Sequence, residues 1–328
     1  MTVNKIAILY EKDPNANPID ITAEHEDEIR RTVPGATLVR ASDESALLQR
    51  GADCDVLLTW GMYQPARFLA AARELKWVHV LSAGFDGVVS VPAIREKRLA
   101  VTSTRGIHGL PIAEHTLCMM LMFTRGFHLL RDRQHRKRWE RYAHPDELAG
   151  KTAAVLGVGE VGRVIAQKCK AVGMRVLGLD LHEVDEPSLD RFYPAKELLA
   201  LLPETDYVVV AVPLTADTRG WIAERQLRAM KQSAYLFNIA RGPIIDSAAL
   251  IRALNLGWIA GAGLDALDPE PLPSESALWD FPNVIVSPHM AAISPYYMDR
   301  AIKVFCENLQ RFAQGEPLRF QFDWEKGF

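Results

Sequence analysis

The chain has 328 residues, 48% of them hydrophobic, and a formal net charge of -3. That length suits about two domains with full cores, and so small a charge gives no overall attraction to nucleic acid or to an anionic membrane. The longest apolar run, residues 116–123, is far too short to span a bilayer.

In chain order, Asn4 and Lys5 lead straight into an apolar strand rather than a leader segment, which suits a cytoplasmic protein. The first hundred residues then alternate, with strands expected at 5–10, 36–40, 55–60, 77–81 and 100–102 and helices at 22–31, 44–50 and 65–74. Such alternation predicts a parallel sheet with helices on both faces. The strand at 77–81 runs into Ser82-Ala83-Gly84-Phe85-Asp86, a small-residue loop at a strand's carboxyl end. Open α/β sheets bind ligands at such ends, and consecutive backbone N–H groups there suit a carboxylate. From Pro111 one long helical pattern, through Glu114, Leu117, Leu121 and Leu129, is expected to reach about Arg141. Its tail, RDRQHRKRWER, carries six basic and two acidic side chains. A solvated helix face explains such a run, with a dimer contact or an electropositive lip as sharper alternatives.

A second α/β unit starts at Lys151. Residues 153–156 form an apolar strand, and Gly157, Gly159 and Gly162 follow as G-x-G-x-x-G at the junction with a helical run. The three glycines have separate tasks: a tight turn, close backbone approach to a pyrophosphate, and close helix–strand packing. Free N–H groups at the helix start hold the phosphates. A second strand, 174–179, ends in Asp180, where a carboxylate can accept both ribose hydroxyls of NAD and repel the 2′-phosphate of NADP. Helices are expected at 195–202, 223–230 and 247–255, and strands at 206–212, 234–239, 261–264 and 284–287. A closing amphipathic helix at 297–313, with Ile302, Phe305, Leu309 and Phe312 as its stripe, is expected to return to the first domain and make that domain discontinuous. Cys54, Cys118, Cys169 and Cys306 show no paired spacing and read as reduced core thiols, not as disulfides or metal ligands.

Three stretches at strand carboxyl ends carry polar residues: NIARGPIID with Arg241, GLDALDPEPLP with Asp265 and Glu270, and SPHMAAIS with His289. Singly, each suits a plain role such as a surface ion pair, a turn cap or a loop histidine. Together they offer a cationic anchor, a carboxylate and an imidazole. A guanidinium can anchor an anionic group and stabilise developing negative charge with its planar fork. Imidazole titrates near neutrality and can supply the proton, and a nearby carboxylate favours its charged form.

On the GVGEVG turn with Asp180, the NIARG stretch, GLD…EPLP and SPH, in that order and spacing, nearly the whole chain resembles the D-isomer-specific 2-hydroxyacid dehydrogenases, the family of phosphoglycerate dehydrogenase and the glyoxylate and hydroxypyruvate reductases. The resemblance implies two doubly wound parallel-sheet α/β domains. A Rossmann NAD-binding domain, 104–290, would be inserted in a discontinuous flavodoxin-like substrate domain, 1–103 plus 291–328. It implies that Arg241 anchors the substrate's carboxylate and keto oxygen, that His289 is the acid/base with Glu270 on its other nitrogen, and that Asp265 contacts the nicotinamide carboxamide. Ala83 and Gly84 would grip the substrate carboxylate through backbone N–H groups. Glu160, Val161, Pro213 and Ile239 sit where the family lines the cofactor groove. Trp60 is expected to shape the substrate side-chain pocket, and HGLPIAEH, with Glu114, matches the crossover helix.

No long extension follows Phe328, which disfavours a serine-regulated phosphoglycerate dehydrogenase, and glutamate at 270 in place of glutamine argues against formate as substrate. The implied function is NAD-dependent oxidoreduction of a small D-2-hydroxy acid or 2-keto acid of the glyoxylate or hydroxypyruvate type. NAD(H) is expected over NADP(H), with a homodimer through the 111–141 region and neither a nucleic-acid nor a membrane partner. The alternative is an NAD(H)-sensing, corepressor-like binding protein of the same fold.

Overall fold

Five short apolar runs, Lys5–Leu9 (β1), Thr37–Ala41 (β2), Val56–Thr59 (β3), Trp77–Val80 (β4) and Ala100–Ser103 (β5), pair in an all-parallel sheet ordered β2-β1-β3-β4-β5. The computed structural model describes residues 2–10 and 20–325; Met1, 11–19 and 326–328, Phe328 among them, lie outside the described residues. Every residue of β3 and β4 is buried, as a parallel strand covered on both faces requires. The order is that of the flavodoxin-like doubly wound sheet.

The chain divides into two compact units, Met1–Ile107 with Ile293–Phe328 and, between them, His108–Ala292. In the first unit, the helix Tyr297–Gln314 buries Ile302, Phe305, Leu309 and Phe312. The Trp77 ring lies 5.3 Å from both Phe305 and Phe312. That helix stops at Gly315, whose φ of 75° supplies the left-handed cap. Two short helices, Asp86–Val89 and Pro92–Glu96, were not expected from the sequence, because four or five residues are too few to show a period.

In the second unit, Thr152–Leu156 (β6), Arg175–Asp180 (β7), Arg191–Pro194 (β8), Tyr207–Val210 (β9), Tyr235–Asn238 (β10), Gly261–Leu264 (β11) and Val284–Val286 (β12) form a parallel sheet ordered β12-β11-β10-β9-β6-β7-β8. Counted from β6, this is the Rossmann order with one strand added at the far edge. Strand β8, reading RFYP, escaped the sequence reading because it is a short edge strand closed by Pro194.

The single long helix expected at 111–141 is two: Gly109–Thr124 and Phe127–His135, with residues 136–141 outside any helix. Gly126 makes the break. Its φ is 71°, and a Cβ there would fall 2.3 Å from the Tyr142 ring. The thiol reading also needs one correction: Cys54, Cys169 and Cys306 are buried, but Cys118 is exposed. Burial pushes the thiols of Cys54 and Cys169 up to about 12, which leaves them unreactive at neutral pH. No helix among the described residues is long and apolar enough to cross a membrane.

Candidate active site

Strand order in the second sheet reverses between β6 and β9, and the glycine turn leaves β6 at that point. Gly157 has φ 96° and donates its N–H to Leu179 O (2.7 Å), while a Cβ on it would strike Ala211 at 2.8 Å. Gly162 lies so close under the turn that a Cβ would meet Gly157 O at 1.9 Å. Around Gly159 no atom lies within 4 Å of an added Cβ, so its backbone stands open. The helix Glu160–Ala171 starts there, with Glu160 exposed and Val161 half-buried in its first turn. Asp180 ends β7 and folds back on the turn: Val158 N–H donates to its Oδ2 and Leu181 N–H to its Oδ1, both at 2.7 Å. Pro213 follows β9, where its carbonyl accepts from the Thr218 hydroxyl (2.6 Å), and Ile239 is buried just past β10.

Past the neighbouring strands β10, β11 and β12 stand Arg241, Asp265 with Glu270, and His289. Arg241 sits in extended backbone before the tight turn Gly242–Ile244 and donates from Nη1 to Ala240 O (2.8 Å). His289 Nδ1 lies 2.8 Å from Glu270 Oε2, and Glu270 Oε1 accepts the Leu267 N–H at 2.8 Å. Burial alone would raise the Glu270 carboxyl. The hydrogen bonds from His289 and Leu267, with the Arg241 charge, outweigh it and hold the group below the ordinary carboxylate range. His289 is itself left-handed, at φ 49°. Asp265 is 3% exposed; its Oδ1 accepts from Ser287 Oγ (2.6 Å) and Met290 N–H (2.9 Å), and its Oδ2 from Ala291 N–H (3.0 Å). Arg241 is thus within electrostatic reach of the Glu270–His289 pair, while Asp265 is engaged with the backbone beyond His289.

Trp60, Ala83 and Gly84 belong to the first unit. The Trp60 ring packs 6.4 Å from Tyr10 and 5.8 Å from Tyr297. Ser82 Oγ accepts the Gly61 N–H (3.1 Å) and donates to Gly84 O (2.8 Å), which fixes the loop, and the N–H groups of Ala83 and Gly84 donate to no described residue.

Residues 117–291 match the family described as D-isomer specific 2-hydroxyacid dehydrogenase, NAD binding domain. Glyoxylate reductase from Korarchaeum cryptofilum is 33% identical over 281 residues, which span 83% of this chain and 84% of that protein. This chain belongs to the D-isomer-specific 2-hydroxyacid dehydrogenases. A solved family protein from Aeromonas salmonicida superposes with a TM-score of 0.86 at 28% identity, covering 98% of this chain and 99% of its own. Another, from Xanthobacter autotrophicus and described in complex with NADPH and MES, gives 0.83 at 29% identity, covering 99% and 100%. The chain is therefore an oxidoreductase of 2-hydroxy acids with an NAD-binding domain, and matches to a reductase and to dehydrogenases favour that over the sensor.

Family membership still leaves several residues of the site unread by the sequence. Asn238 is 1% exposed; its Nδ2 donates to Arg241 O (3.0 Å) and Ala266 O (3.1 Å), and its Oδ1 accepts the Ala240 N–H (3.2 Å). It ties the Arg241 turn to the loop after β11. An amide closing an otherwise apolar strand was the available signal. Ser287 and His115 lie inside SPH and HGLPIAEH, where nothing in the sequence singles them out.

Proposed function

We propose that the chain reduces short 2-keto acids of the glyoxylate or hydroxypyruvate type to D-2-hydroxy acids, and runs the reverse oxidation. The contact that carries this reading is the 2.8 Å bond between His289 Nδ1 and Glu270 Oε2, which leaves Nε2 of His289 without a described partner. A dinucleotide, when bound, supplies or accepts hydride at the substrate's C2. The chain's own groups do the rest. His289 gives its Nε2 proton to the carbonyl oxygen in reduction and takes it back in oxidation. Glu270, held ionised, orients the ring through its bond to Nδ1. Arg241 meets the substrate's carboxylate and the developing charge on its oxygen. In the first unit, the free N–H groups of Ala83 and Gly84 suit a carboxylate, and Trp60 precedes Gly61, which packs against Gly84 O.

The glycine turn fits a pyrophosphate because the Gly159 backbone is open and a helix starts beside it. Glu160, Val161, Pro213 and Ile239 would line the groove, and the remaining lone pair on Asp265 Oδ2 is left for a carboxamide. Asp180 supports a preference for NADH: it keeps acceptor capacity beyond its two backbone N–H bonds and repels a 2′-phosphate. The Xanthobacter relative, described with NADPH, makes this the point to measure.

A panel of 2-keto acids assayed with each cofactor, with product chirality, tests the reading. Consumption of NADH with glyoxylate or hydroxypyruvate, much faster than of NADPH, is expected; tight NADH binding without turnover on any member would replace it with the sensor. Asp180→Ala should narrow the cofactor ratio, and an unchanged ratio would remove the carboxylate from the ribose. Leu110, Leu121, Phe127 and Trp139, all in or beside the 111–141 region, are exposed apolar side chains, which suits burial against a second copy of the chain. Light scattering should return twice the chain mass, and Phe127→Asp should lower it; a wild-type monomer at micromolar concentration would end the dimer reading.

A further inference from the structure

His115 takes no part in the chemistry above, yet its ring reaches the turn that carries His289. On the helix Gly109–Thr124, its Nε2 lies 2.9 Å from Ser287 Oγ, which lies 2.6 Å from Asp265 Oδ1. The protons of this chain assign themselves. An ionised carboxylate only accepts, so the one Ser287 proton goes to Asp265, and Ser287 Oγ must then accept from an N–H on His115 Nε2. Beyond Asp265 the bonds fan onto three consecutive residues. Its carbonyl accepts the His289 N–H (3.0 Å), and its carboxylate accepts those of Met290 (2.9 Å) and Ala291 (3.0 Å).

We infer that His115 is a positioning residue for His289, acting through Ser287 and Asp265 to hold the turn at 289–291. The turn needs holding. A non-glycine residue at φ 49° is strained and persists where its surroundings over-determine it. Asp265 supplies that constraint, and its Oδ1 is shared between the Met290 amide and the Ser287 hydroxyl. With the Ser287 proton pinned by the donor on His115, the carboxylate has one orientation in which all its partners are met. Without that donor, Ser287 Oγ loses its own partner and can rotate away from Asp265. The Asp265 hold on the Met290 amide then loosens, and the imidazole wanders relative to Glu270. The inference rests on His289 as proton carrier, but the geometry of the turn can be read without any turnover.

His115→Phe keeps a ring and removes the donor, whereas His115→Gln keeps an N–H at similar reach. The Phe variant should lose about fivefold in kcat, the worth of one hydrogen bond, with KM for NADH unchanged, and the Gln variant should recover most of it. Ser287→Ala cuts the same chain from its other side and should match the Phe variant, and the double variant should be no worse than either single one. In the cofactor-free protein, amide exchange of the peptide spanning 287–292 should quicken in the Phe and Ala variants and not in the Gln variant. Should the Phe variant fail to fold, Ser287→Ala carries the same measurements. Unchanged exchange, equal loss with Phe and Gln, or additive effects would overturn the role. A wild-type enzyme that turns over no 2-keto acid would sink the proposed function, and the exchange data would still decide what His115 holds.

Discussion

His289 and Glu270 are nineteen residues apart in sequence and 2.8 Å apart in space, and the rate should depend on them unequally. If His289 carries the proton as proposed, His289→Ala should lower kcat by the roughly 10²–10⁴-fold attributed to general acid–base catalysis. Glu270→Gln keeps a polar group facing Nδ1 while removing the charge, so it should fall less far. Steady-state kinetics on the same keto acid checks both, and a histidine variant within tenfold of wild type would place the proton donor elsewhere. These residues were legible because Arg, Glu and His stand in loops after apolar strands, where a charged group has no packing task. Ser287, Asn238 and His115 were not, since a serine before proline, an asparagine ending a strand and a histidine on a helix are ordinary sights. Only the fold reveals that their hydrogen bonds converge on the turns carrying Arg241 and His289.

Among the elements, the junction of β6 with the helix Glu160–Ala171 separates stability from binding within six residues. Gly159→Ala adds a methyl that meets nothing within 4 Å, at a backbone conformation that alanine accepts. The variant should melt within a degree or two of wild type, as surface substitutions do, while NADH binding weakens at least tenfold because the methyl stands where a phosphate would approach. Gly162→Ala instead drives a Cβ to 1.9 Å from Gly157 O. It should lower the melting temperature clearly, because the helix must move off the strand. Thermal melts with NADH titrations separate the two. Equal melting temperatures, or undiminished NADH binding by Gly159→Ala, would contradict the division of labour. Elements with a clean period were legible: the helix Ser247–Asn255 and the strand Gly261–Leu264 have the residue limits read from sequence. The break at Gly126 was not, because one glycine in a helical pattern is usually tolerated and only Tyr142, packed against it, commits it to the left-handed turn.

For the molecule as a whole, resistance to acid depends on imidazoles buried in each of its two units. In the first, His79 is fully buried; its Nδ1 meets Thr102 Oγ1 (2.7 Å) and its Nε2 meets Thr104 Oγ1 (3.3 Å). Thr102 Oγ1 accepts from Trp77 Nε1 and Thr104 donates to Val80 O. The Thr102 proton is thus free to face Nδ1, and the neutral ring satisfies every partner. Burial brings His79 down to about 3, and burial with the Arg241 charge brings His108, in the second unit, down to about 4. Both values lie below the 6.5 of a free imidazole, so the sign is fixed. Above about pH 6.5 neither state binds the proton and the histidines leave stability unchanged. As pH falls below that, the unfolded chain takes up protons that the folded chain refuses, and stability is lost until the folded groups titrate. At pH 5 each contributes a loss of about 2 kcal/mol, while most carboxylates are still ionised. Urea unfolding followed by circular dichroism should therefore show a steep loss of stability from pH 7.5 to 5. His79→Phe should remove about half of that slope even if it lowers stability at every pH by leaving the Thr102 hydroxyl without its acceptor. A stability that stays flat across this window, or a Phe variant with the wild-type slope, would mean that these imidazoles are charged or solvated in the folded protein.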